Sequence, residues 1–451
     1  MIGHDALLTD LYQLTMLQGY LEAGMTETAV FEFFVRRLPP GWSFFIAAGL
    51  AQAVDYLEQL RFHEADLAWL AASGRFSHAV VEYLGHLRFT GDVDALPEGS
   101  CCFPDEPIVR ITAPLPVAQL VESRLINLLH FQTLIASKAA RLRLAAPDKL
   151  LVDFGLRRAH GGEAALFAAR ASYLAGFDGS ATTLAAPRFA IPVFGTMAHS
   201  YVQAHVSEVR AFESFARAQP DNVVLLIDTY DTEEGAQRVV EVAPRLAAAG
   251  IRIKAVRIDS GDLAGHARRV RAILDDGGLT EVGIFASSSL DETDLVRFRA
   301  ERVPIDGFGV GTRLTTCADH PYLDCAYKLQ EYAGQPRRKR SEGKQTWPGR
   351  KQVWRRYAAG ELAGDTLALE GEAIAGTPLL VEVVRSGQRR AELEDLAAAR
   401  AHAAAEIAAL PEPLKQLAAT TPYPVTVSSG LRALAVEVDR RTAGGGPKGE
   451  A

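Results

Sequence analysis

The chain has 451 residues, more than one hydrophobic core usually accommodates, so two structural units are expected. Hydrophobic residues make up 48% and charged residues 23%, which is ordinary for a folded enzyme. The net charge of -7 argues against a nucleic-acid binder, and no apolar run reaches the roughly 18 residues that span a bilayer. Four cysteines without a CxxC motif indicate neither a disulfide framework nor a zinc site. We therefore expect a soluble, cytoplasmic protein with no nucleic-acid or membrane partner.

Apolar spacing and turn residues divide the N-terminal third into helices and strands. Apolar residues recur at helical spacing over 7–22, and residues 29–35 form an apolar run that ends before a Pro-Pro-Gly turn. Residues 103–117 are rich in proline and β-branched residues, and helical spacing returns over 117–140. The pattern predicts a helix, a strand, further short strands and a long helix, in that order.

From about residue 148, short apolar runs that end in polar or glycine residues alternate with helical stretches. The six runs are 150–154, 190–194, 223–227, 253–258, 282–286 and 305–310. Their spacing of roughly 20 to 40 residues is that of βα units, which predicts parallel strands joined by crossover helices. Six such units favour a barrel over an open sheet, and in a barrel the chemistry lies at the carboxyl ends of the strands.

The pattern changes again after about residue 332. Residues 337–356 are strongly basic, and residues 357–440 mix strands with an alanine-rich helix. We expect this C-terminal segment to pack back on the N-terminal part and the glycine-rich end to be a disordered tail. The predicted parts are an N-terminal part of an α+β domain over 1–145, an α/β barrel over 146–330, a C-terminal segment over 331–443 and a tail over 444–451.

The first run of the series is followed by residues suited to binding an aromatic anion. The sequence DFGLRRAHGG places Phe154, Arg157 and Arg158 between a strand and a helix. Adjacent arginines bind phosphate or carboxylate in bidentate fashion, and a phenylalanine ring can stack on a flat ligand. A solvated arginine pair and a core phenylalanine explain these residues equally well, so this segment alone leaves both interpretations open.

A histidine and three aspartates follow the next three runs. His199 ends FGTMAH, and it is interpreted as a general base, a phosphate-accepting nucleophile or a structural residue, with its place after a strand favouring function. Asp228, Asp259 and Asp262 follow the third and fourth runs, where carboxylates are costly to bury unless they bind a cation or hydroxyl groups. They suit Mg²⁺, its waters or a ribose diol, or they cap helices. Repetition over two consecutive strands argues against capping alone.

The last run contains a glycine-rich segment, GFGVGT, over 307–312. Glycines on the last strand of a barrel let backbone N–H groups approach a phosphate. Together the strand ends suit a ligand with a phosphate, vicinal hydroxyls, a metal-bound anionic part and a flat ring. A nucleotide-forming transfer fits these groups, whereas hydride transfer does not, because no GxGxxG opens a βαβ unit near the start of the chain.

In these motifs the chain resembles the nicotinate phosphoribosyltransferases. The resemblance rests on four specific motifs, which are TDLYQLTM from Thr9, DFGLRRAHG from Asp153, FGTMAHS from Phe194 and RIDSGDL from Arg257. GVGTRL and the SEGK segment add support. The resemblance implies an irregular α/β barrel of the type II phosphoribosyltransferase kind, beside a second α+β domain formed from N- and C-terminal segments.

The resemblance also implies an ATP-dependent, ligase-type enzyme of NAD salvage that forms nicotinate mononucleotide and pyrophosphate from nicotinate and phosphoribosyl pyrophosphate. In a homodimer, Tyr12 of one subunit would stack on the nicotinate ring in the other subunit's site, with Phe154 on the opposite face. Arg257 and Thr196 would hold the nicotinate carboxylate, and ATP would phosphorylate His199. With His199, the implied catalytic residues are Arg257 and Asp259. The residues that would surround phosphoribosyl pyrophosphate and its Mg²⁺ are Arg157, Asp228, Asp259, Gly309, Gly311 and Thr312, of which Asp228 and Asp259 would bind the metal directly or through water.

Two positions depart from the family pattern. Ala181 lies where nicotinamide-using relatives place an acidic residue and nicotinate-using relatives usually have Ser-Asn, and His160 replaces an expected glutamine. A carboxylate at position 181 would repel nicotinate, so its absence favours an anionic substrate.

Rival interpretations follow from the same residues. Ala181 argues against a nicotinamide phosphoribosyltransferase, and the length of the chain argues against the smaller quinolinate enzyme. A non-catalytic ligand-binding relative would not need the whole set of Arg157, His199, Arg257 and Asp259. The basic stretch over 337–356 suggests a nucleic-acid patch, but two acidic substrates and ATP explain it as well.

Overall fold

A computed structural model describes residues 5–390, 395–417 and 421–443. They form two compact units, one from the described parts of 1–137 and 322–451 and the other from 138–321. One unit is therefore built from both ends of the chain, as the sequence predicts. The boundaries inferred from sequence lie slightly further along the chain, and the tail expected over 444–451 lies outside the described residues.

Helices and short strands alternate in the N-terminal segment. The helices are α1 (Leu11–Glu22), α2 (Leu50–Glu58), α3 (Glu64–Ala72), α4 (His78–His86), α5 (Leu115–Leu120) and α6 (Glu122–Ala145). The strands are β1 (Thr28–Val35), β2 (Phe45–Ile46), β3 (Asp92–Ala95), β4 (Cys101–Cys102) and β5 (Val109–Pro114). The first helix begins at Leu11 and not near residue 7. The predicted long helix is two helices, α5 and α6, which are divided at Val121. Pro116 lies in the first turn of α5, where no N–H is needed.

The second unit consists of βα repeats. Its strands are β6 (Leu150–Asp153), β7 (Gly179–Ser180), β8 (Val223–Leu226), β9 (Ile253–Ile258), β10 (Gly283–Ser288) and β11 (Gly307–Val310). Its further helices are α7 (Gly162–Leu174), α8 (Ala185–Phe189), α9 (His199–Gln203), α10 (Glu208–Ala218), α11 (Thr232–Ala248), α12 (Leu263–Asp276), α13 (Glu292–Ala300) and α14 (Thr312–Thr315). The six strands form one sheet of order β7-β6-β11-β10-β9-β8, with every pairing parallel.

This curled parallel sheet is the irregular α/β barrel expected from the sequence. Each predicted run contains a strand except 190–194, where Val193 makes only an isolated bridge to Ser180. Pro192 has no N–H for a ladder and Val193 is 44% exposed, so an apolar run there does not become a buried strand. Between this segment and β6 lies β7, a strand that was not predicted because its Gly-Ser sequence carries no apolar pattern.

The C-terminal segment completes the first unit. Its elements are β12 (Cys325–Tyr332), β13 (Gln335–Pro336), β14 (Lys351–Ala358), β15 (Glu361–Leu369), β16 (Thr377–Pro378), β17 (Val381–Arg385), β18 (Gln388–Arg389), α15 (Leu396–Ala408), α16 (Glu412–Lys415), β19 (Val425–Val427) and α17 (Ser429–Ala443). A seven-stranded antiparallel sheet of order β13-β12-β1-β5-β3-β17-β18 interleaves strands from both ends of the chain. Inside this sheet β1 is buried along nearly its whole length, which explains why its sequence is apolar apart from Thr28 and Glu32.

Part of the basic stretch over 337–356 lies inside this unit. The Lys351 ammonium lies 2.7 Å from Glu32, and the Arg355 guanidinium lies 2.7 Å from Asp365, with all four side chains buried. These two cations are therefore not available to a nucleic-acid phosphate. The described parts of the chain contain no helix that is long and apolar enough to cross a membrane.

Candidate active site

Strands β6, β9, β10 and β11 end at a common edge of the barrel sheet. The register pairs Val310 with Asp153, Ser287 with Gly309, and Ala286 with Ile258. The residues that follow these pairs therefore emerge side by side, as the parallel arrangement predicts.

Phe154 lies just after β6, half-buried at this edge. Its ring centre is 5.7 Å from that of Phe285 at an interplanar angle of 43°. A Cβ on Gly309 would lie 2.7 Å from Phe154 Cδ2, and a Cβ on Gly311 would lie 2.9 Å from the Phe154 carbonyl oxygen. Both glycines thus have a packing role, since only they let β11 approach Phe154 this closely.

Arg257 presents unused hydrogen-bonding capacity beside that ring. Its guanidinium carbon lies 6.0 Å from the centre of the Phe154 ring, and its side chain is 12% exposed. It donates weakly to Thr196 Oγ1 at 3.5 Å, to the Met197 carbonyl at 3.3 Å and to Asp259 Oδ2 at 3.3 Å. Its Nε–H is buried and has no acceptor among the described residues. A planar anion lying over Phe154 would supply the missing acceptor.

Two carboxylates are fixed next to Arg257 by hydroxyl and amide donors. Asp259 Oδ1 accepts a hydrogen bond from Ser287 Oγ at 2.6 Å. Asp228 Oδ2 accepts from the Asp259 amide at 2.8 Å and from Ser260 Oγ at 2.6 Å. Asp228 Oδ1 is buried and has no hydrogen-bond donor in the part of the chain that the structure describes. Such an oxygen calls for a cation or a ligand hydroxyl.

His199 begins α9 and joins the same cluster. Its Nδ1 lies 3.1 Å from Thr229 Oγ1, and its Nε2 lies 3.8 Å from Asp259 Oδ2. The side chain is 39% exposed. One ring nitrogen is therefore engaged by a hydroxyl, and the other faces the carboxylates and Arg257.

Asp153, at the end of β6, is a buried carboxylate that holds the residues following β6 and β7 by hydrogen bonds. It accepts from the Gly155 amide at 2.8 Å and from Ser180 Oγ at 2.7 Å, and its carbonyl accepts from the Ala181 amide at 2.8 Å. Burial raises the pKa of Asp153 to about 6, and the Ser180 and Gly155 hydrogen bonds partly oppose that rise. The residue therefore fixes the position of Ala181 relative to Phe154.

Three other predicted site residues are exposed and are not joined to this cluster by a hydrogen bond among the described residues. Arg157 is exposed in the 3-10 turn Leu156–Arg158, and Thr312 is exposed at the start of α14. Within the described residues, no side-chain hydrogen bond joins either to the cluster. Tyr12 lies on α1 in the other unit and is 48% exposed.

The sequence analysis assigned no part to four residues that hold the cluster together. These residues are Asp153, Thr229, Ser260 and Ser287. The sequence signal is a short hydroxyl or acidic side chain at the end of a βα strand or just after it. The signal does not identify the hydrogen-bond partner of each side chain, because that partner depends on the register between strands.

A curled parallel sheet with such strand ends is the architecture of the type II phosphoribosyltransferases. The chain matches the models of the nicotinate phosphoribosyltransferase N-terminal domain over residues 7–130, of the family itself over 150–344 and of the C-terminal domain over 372–435. It belongs to the nicotinate phosphoribosyltransferase family, whose members act in NAD salvage.

Individual relatives agree with this assignment. The chain is 52% identical over 430 residues to a nicotinate phosphoribosyltransferase of Mycobacterium tuberculosis, covering 94% of this chain and 92% of that protein. It is 35% identical over 520 residues to the nicotinate phosphoribosyltransferase of Mus musculus, covering 96% and 97%. The crystal structure of human nicotinic acid phosphoribosyltransferase matches with a TM-score of 0.86 at 32% identity, covering 96% of this chain and 100% of that one.

Proposed function

We propose that the barrel site forms nicotinate mononucleotide and pyrophosphate from nicotinate and phosphoribosyl pyrophosphate. The observation that carries this proposal is the buried Nε–H of Arg257, which lacks an acceptor beside the Phe154 ring. Nicotinate supplies a flat ring for Phe154 and a carboxylate for Arg257 and Thr196. Nicotinamide has no negative charge to offer the guanidinium, so the same geometry favours the acid over the amide.

In the proposed reaction, the pyridine nitrogen lone pair forms a bond to C1 of the ribose. The bond from C1 to the pyrophosphate oxygen breaks, and its electron pair leaves with pyrophosphate. The ribose passes through an oxocarbenium-like state, as in glycoside cleavage. Asp228 and Asp259 are held by fixed donors, so they are oriented before the substrate arrives. Positioning of this kind is the main contribution asked of the protein.

We propose that Asp228 and Asp259 hold Mg²⁺, directly or through water. The described residues contain no cluster of three or more His, Cys, Asp or Glu side chains suited to a metal. Mg²⁺ commonly binds through one or two carboxylates together with substrate phosphates, and the unpartnered Oδ1 of Asp228 fits that role. When bound, the ion would offset the negative charge that develops on pyrophosphate.

The finer features of the reaction are also part of the proposal. ATP use is assigned to phosphorylation of His199, which makes this a ligase-type enzyme. Arg157, Gly309, Gly311 and Thr312 are assigned to the phosphates of phosphoribosyl pyrophosphate. We further propose a cytoplasmic homodimer in which Tyr12 of one subunit reaches the nicotinate of the other; its 48% exposure on α1 leaves it available for such a contact.

A product assay tests the reaction. The purified protein is incubated with phosphoribosyl pyrophosphate, Mg²⁺ and ATP, and nicotinate, nicotinamide or quinolinate is supplied separately, with products identified by mass. Nicotinate mononucleotide from nicotinate alone is the expected result. Product from nicotinamide would show that the pocket around Ala181 accepts the amide. Binding of nicotinate without any product would point to a ligand-binding protein.

A further inference from the structure

Thr229 makes the hydrogen-bond contact that the structure gives to the Nδ1 atom of His199. The two atoms, Nδ1 and Thr229 Oγ1, are 3.1 Å apart. The other ring nitrogen, Nε2, lies 3.8 Å from Asp259 Oδ2, beyond hydrogen-bonding distance. The two nitrogens of this partly exposed ring are therefore in different environments: Nδ1 lies within hydrogen-bonding distance of a hydroxyl, whereas Nε2 lies near a carboxylate without a hydrogen bond to it.

The loop that carries Thr229 is held in place from both sides. On one side, Asp228 is bound by the Asp259 amide and by Ser260 Oγ. On the other side, Asp231 caps α11 by accepting from the Glu234 amide at 2.9 Å. A short loop fixed at each end gives Thr229 little freedom to move away from the ring.

The loop is also confined by close packing beneath it. A Cβ on Gly235, in the first turn of α11, would lie 2.0 Å from the Ile227 carbonyl oxygen. The Ile227 amide in turn donates to the Arg257 carbonyl at 3.1 Å. The backbone on which Thr229 sits is therefore pinned to both the helix and the neighbouring strand.

From this geometry we propose that Thr229 is a positioning residue that selects Nε2 of His199 as the phosphoryl acceptor. The inference rests on the proposed ATP coupling and specifies the atom at which it occurs. A phosphoryl group on Nδ1 would have to displace a hydroxyl that the loop holds 3.1 Å away. A phosphoryl group on Nε2 displaces no hydrogen bond that the structure gives to the ring.

The proton balance agrees with this choice. A neutral imidazole attacks through the nitrogen that carries no proton, so attack by Nε2 requires the proton on Nδ1. Nδ1–H then donates to Thr229 Oγ1. The Nε2 lone pair bonds to the γ-phosphorus of ATP, the bond from that phosphorus to the bridging oxygen breaks, and ADP leaves with its electron pair. The ring now bears a positive charge, and the hydrogen bond from Nδ1–H to Thr229 becomes charge-assisted and stronger.

In the hydrolysis step, water attacks the phosphorus and loses a proton to solvent. Phosphate departs, and the N–P electron pair returns to Nε2.

The test compares Thr229→Val and Thr229→Ser with the parent protein. Valine has nearly the same shape but no hydroxyl, and serine restores the hydroxyl. Thr293→Val, at an exposed threonine of α13, is the matched control. Each protein is treated with ATP labelled at the γ-phosphate and Mg²⁺, and the rate of phosphoenzyme formation is measured. NMR of ¹⁵N-histidine-labelled protein identifies the phosphorylated nitrogen.

We expect the parent protein to carry the phosphoryl group on Nε2. Thr229→Val should slow its formation about tenfold, the effect of one lost hydrogen bond, and move part of the label to Nδ1. Thr229→Ser and Thr293→Val should behave like the parent. Label on Nδ1 of the parent, or an unchanged rate and nitrogen in Thr229→Val, overturns the role of Thr229 while leaving ATP coupling intact. No label on the parent, or label that persists in His199→Ala, overturns the ATP coupling at His199 and the Thr229 assignment with it.

Discussion

Arg257 and Phe154 meet across the barrel although their strands are not neighbours. The Arg257 guanidinium carbon lies 6.0 Å from the centre of the Phe154 ring, while β11 and β10 stand between β6 and β9 in the sheet. Three strand spacings of about 4.8 Å would separate these strands by about 14 Å in a flat sheet. The curl of the sheet and the length of the arginine close that gap. The site proposed for a flat anion therefore depends on the barrel as a whole.

Arg257→Ala should raise the nicotinate concentration required far more than that of phosphoribosyl pyrophosphate. The reason is that the substrate carboxylate loses its guanidinium partner, at a cost of roughly 2–5 kcal/mol. The measurement is KM for each substrate, with the other held saturating. Arg252→Ala is the control, because Arg252 is exposed just before the opposite end of β9. Equal effects on both substrates would show that Arg257 does not bind the carboxylate.

Ala181→Asp should shift preference from nicotinate towards nicotinamide. Ala181 is tied to the end of β6 through its amide, at the edge where Phe154 emerges. A carboxylate there repels a substrate carboxylate, and about 1.4 kcal/mol of repulsion at intermediate dielectric already changes the ratio of kcat/KM values tenfold. Ala181→Asn introduces a side chain of similar size without the charge and should leave the preference for nicotinate in place. A nicotinate preference retained by Ala181→Asp would show that this position does not face the substrate ring.

Much of this site was predictable because parallel βα units place strand ends together. The positions of Asp228 and Asp259 at one edge follow from that rule alone. His199 was expected there because it follows the run 190–194, which forms no strand, yet the structure brings all three residues into one cluster. Their partners were not predictable, because Ser287 reaches Asp259 only through the register of β10 on β9. That register is set by packing along the whole sheet and leaves no local mark in the sequence.

The one mispredicted strand has a similarly physical cause. The apolar run over 190–194 satisfies the usual pattern, but Pro192 removes a ladder donor, and Val193 stays largely exposed. The strand next to this segment, β7, is only two residues long and contains no apolar side chain. Its position is fixed by Asp153, whose carboxylate holds Ser180, so a polar contact and not hydrophobic periodicity defines this strand.

His199→Ala should retain some synthesis of nicotinate mononucleotide and lose its stimulation by ATP. The histidine touches Thr229 and lies near Asp259, but nothing in the transfer step itself requires its nitrogen. The measurement is the rate with and without ATP at fixed phosphoribosyl pyrophosphate. His205→Ala is a suitable control, since His205 Nδ1 contacts the Tyr201 carbonyl within the neighbouring helical segment. An ATP response that survives in His199→Ala would remove the histidine from the coupling.

Asp153→Asn should change how stability depends on pH. The pKa of Asp153 is raised by burial to about 6 from an ordinary value of 3.8, so the folded protein binds more protons than the unfolded chain between these values. The stabilisation from this group is present below pH 3.8 and is lost as pH rises through about 6, by up to about 3 kcal/mol. Asparagine does not titrate and can still bond to Ser180 and Gly155. The difference in unfolding free energy between parent and variant, measured by urea denaturation from pH 4 to pH 7, should therefore move in favour of the variant as pH rises. A pH-independent difference would show that Asp153 keeps its ordinary pKa.

Arg355→Met should destabilise the unit built from the two chain ends by about 3–5 kcal/mol, because it leaves buried carboxylates without their cation. Arg355 is fully buried and bonds to Asp365 at 2.7 Å and to Glu406 at 2.6 Å. A third carboxyl, that of Glu106, is buried nearby, and its pKa is raised by burial and by the charge of Asp365. The measurement is the urea midpoint and slope of each variant. Arg356→Met, at the exposed neighbouring position, removes the same charge and should change the unfolding free energy by less than about 0.5 kcal/mol. Equal stability of the two variants would mean that methionine packs into the Arg355 site well enough to replace the ion pairs, with the remaining carboxylates taking up protons.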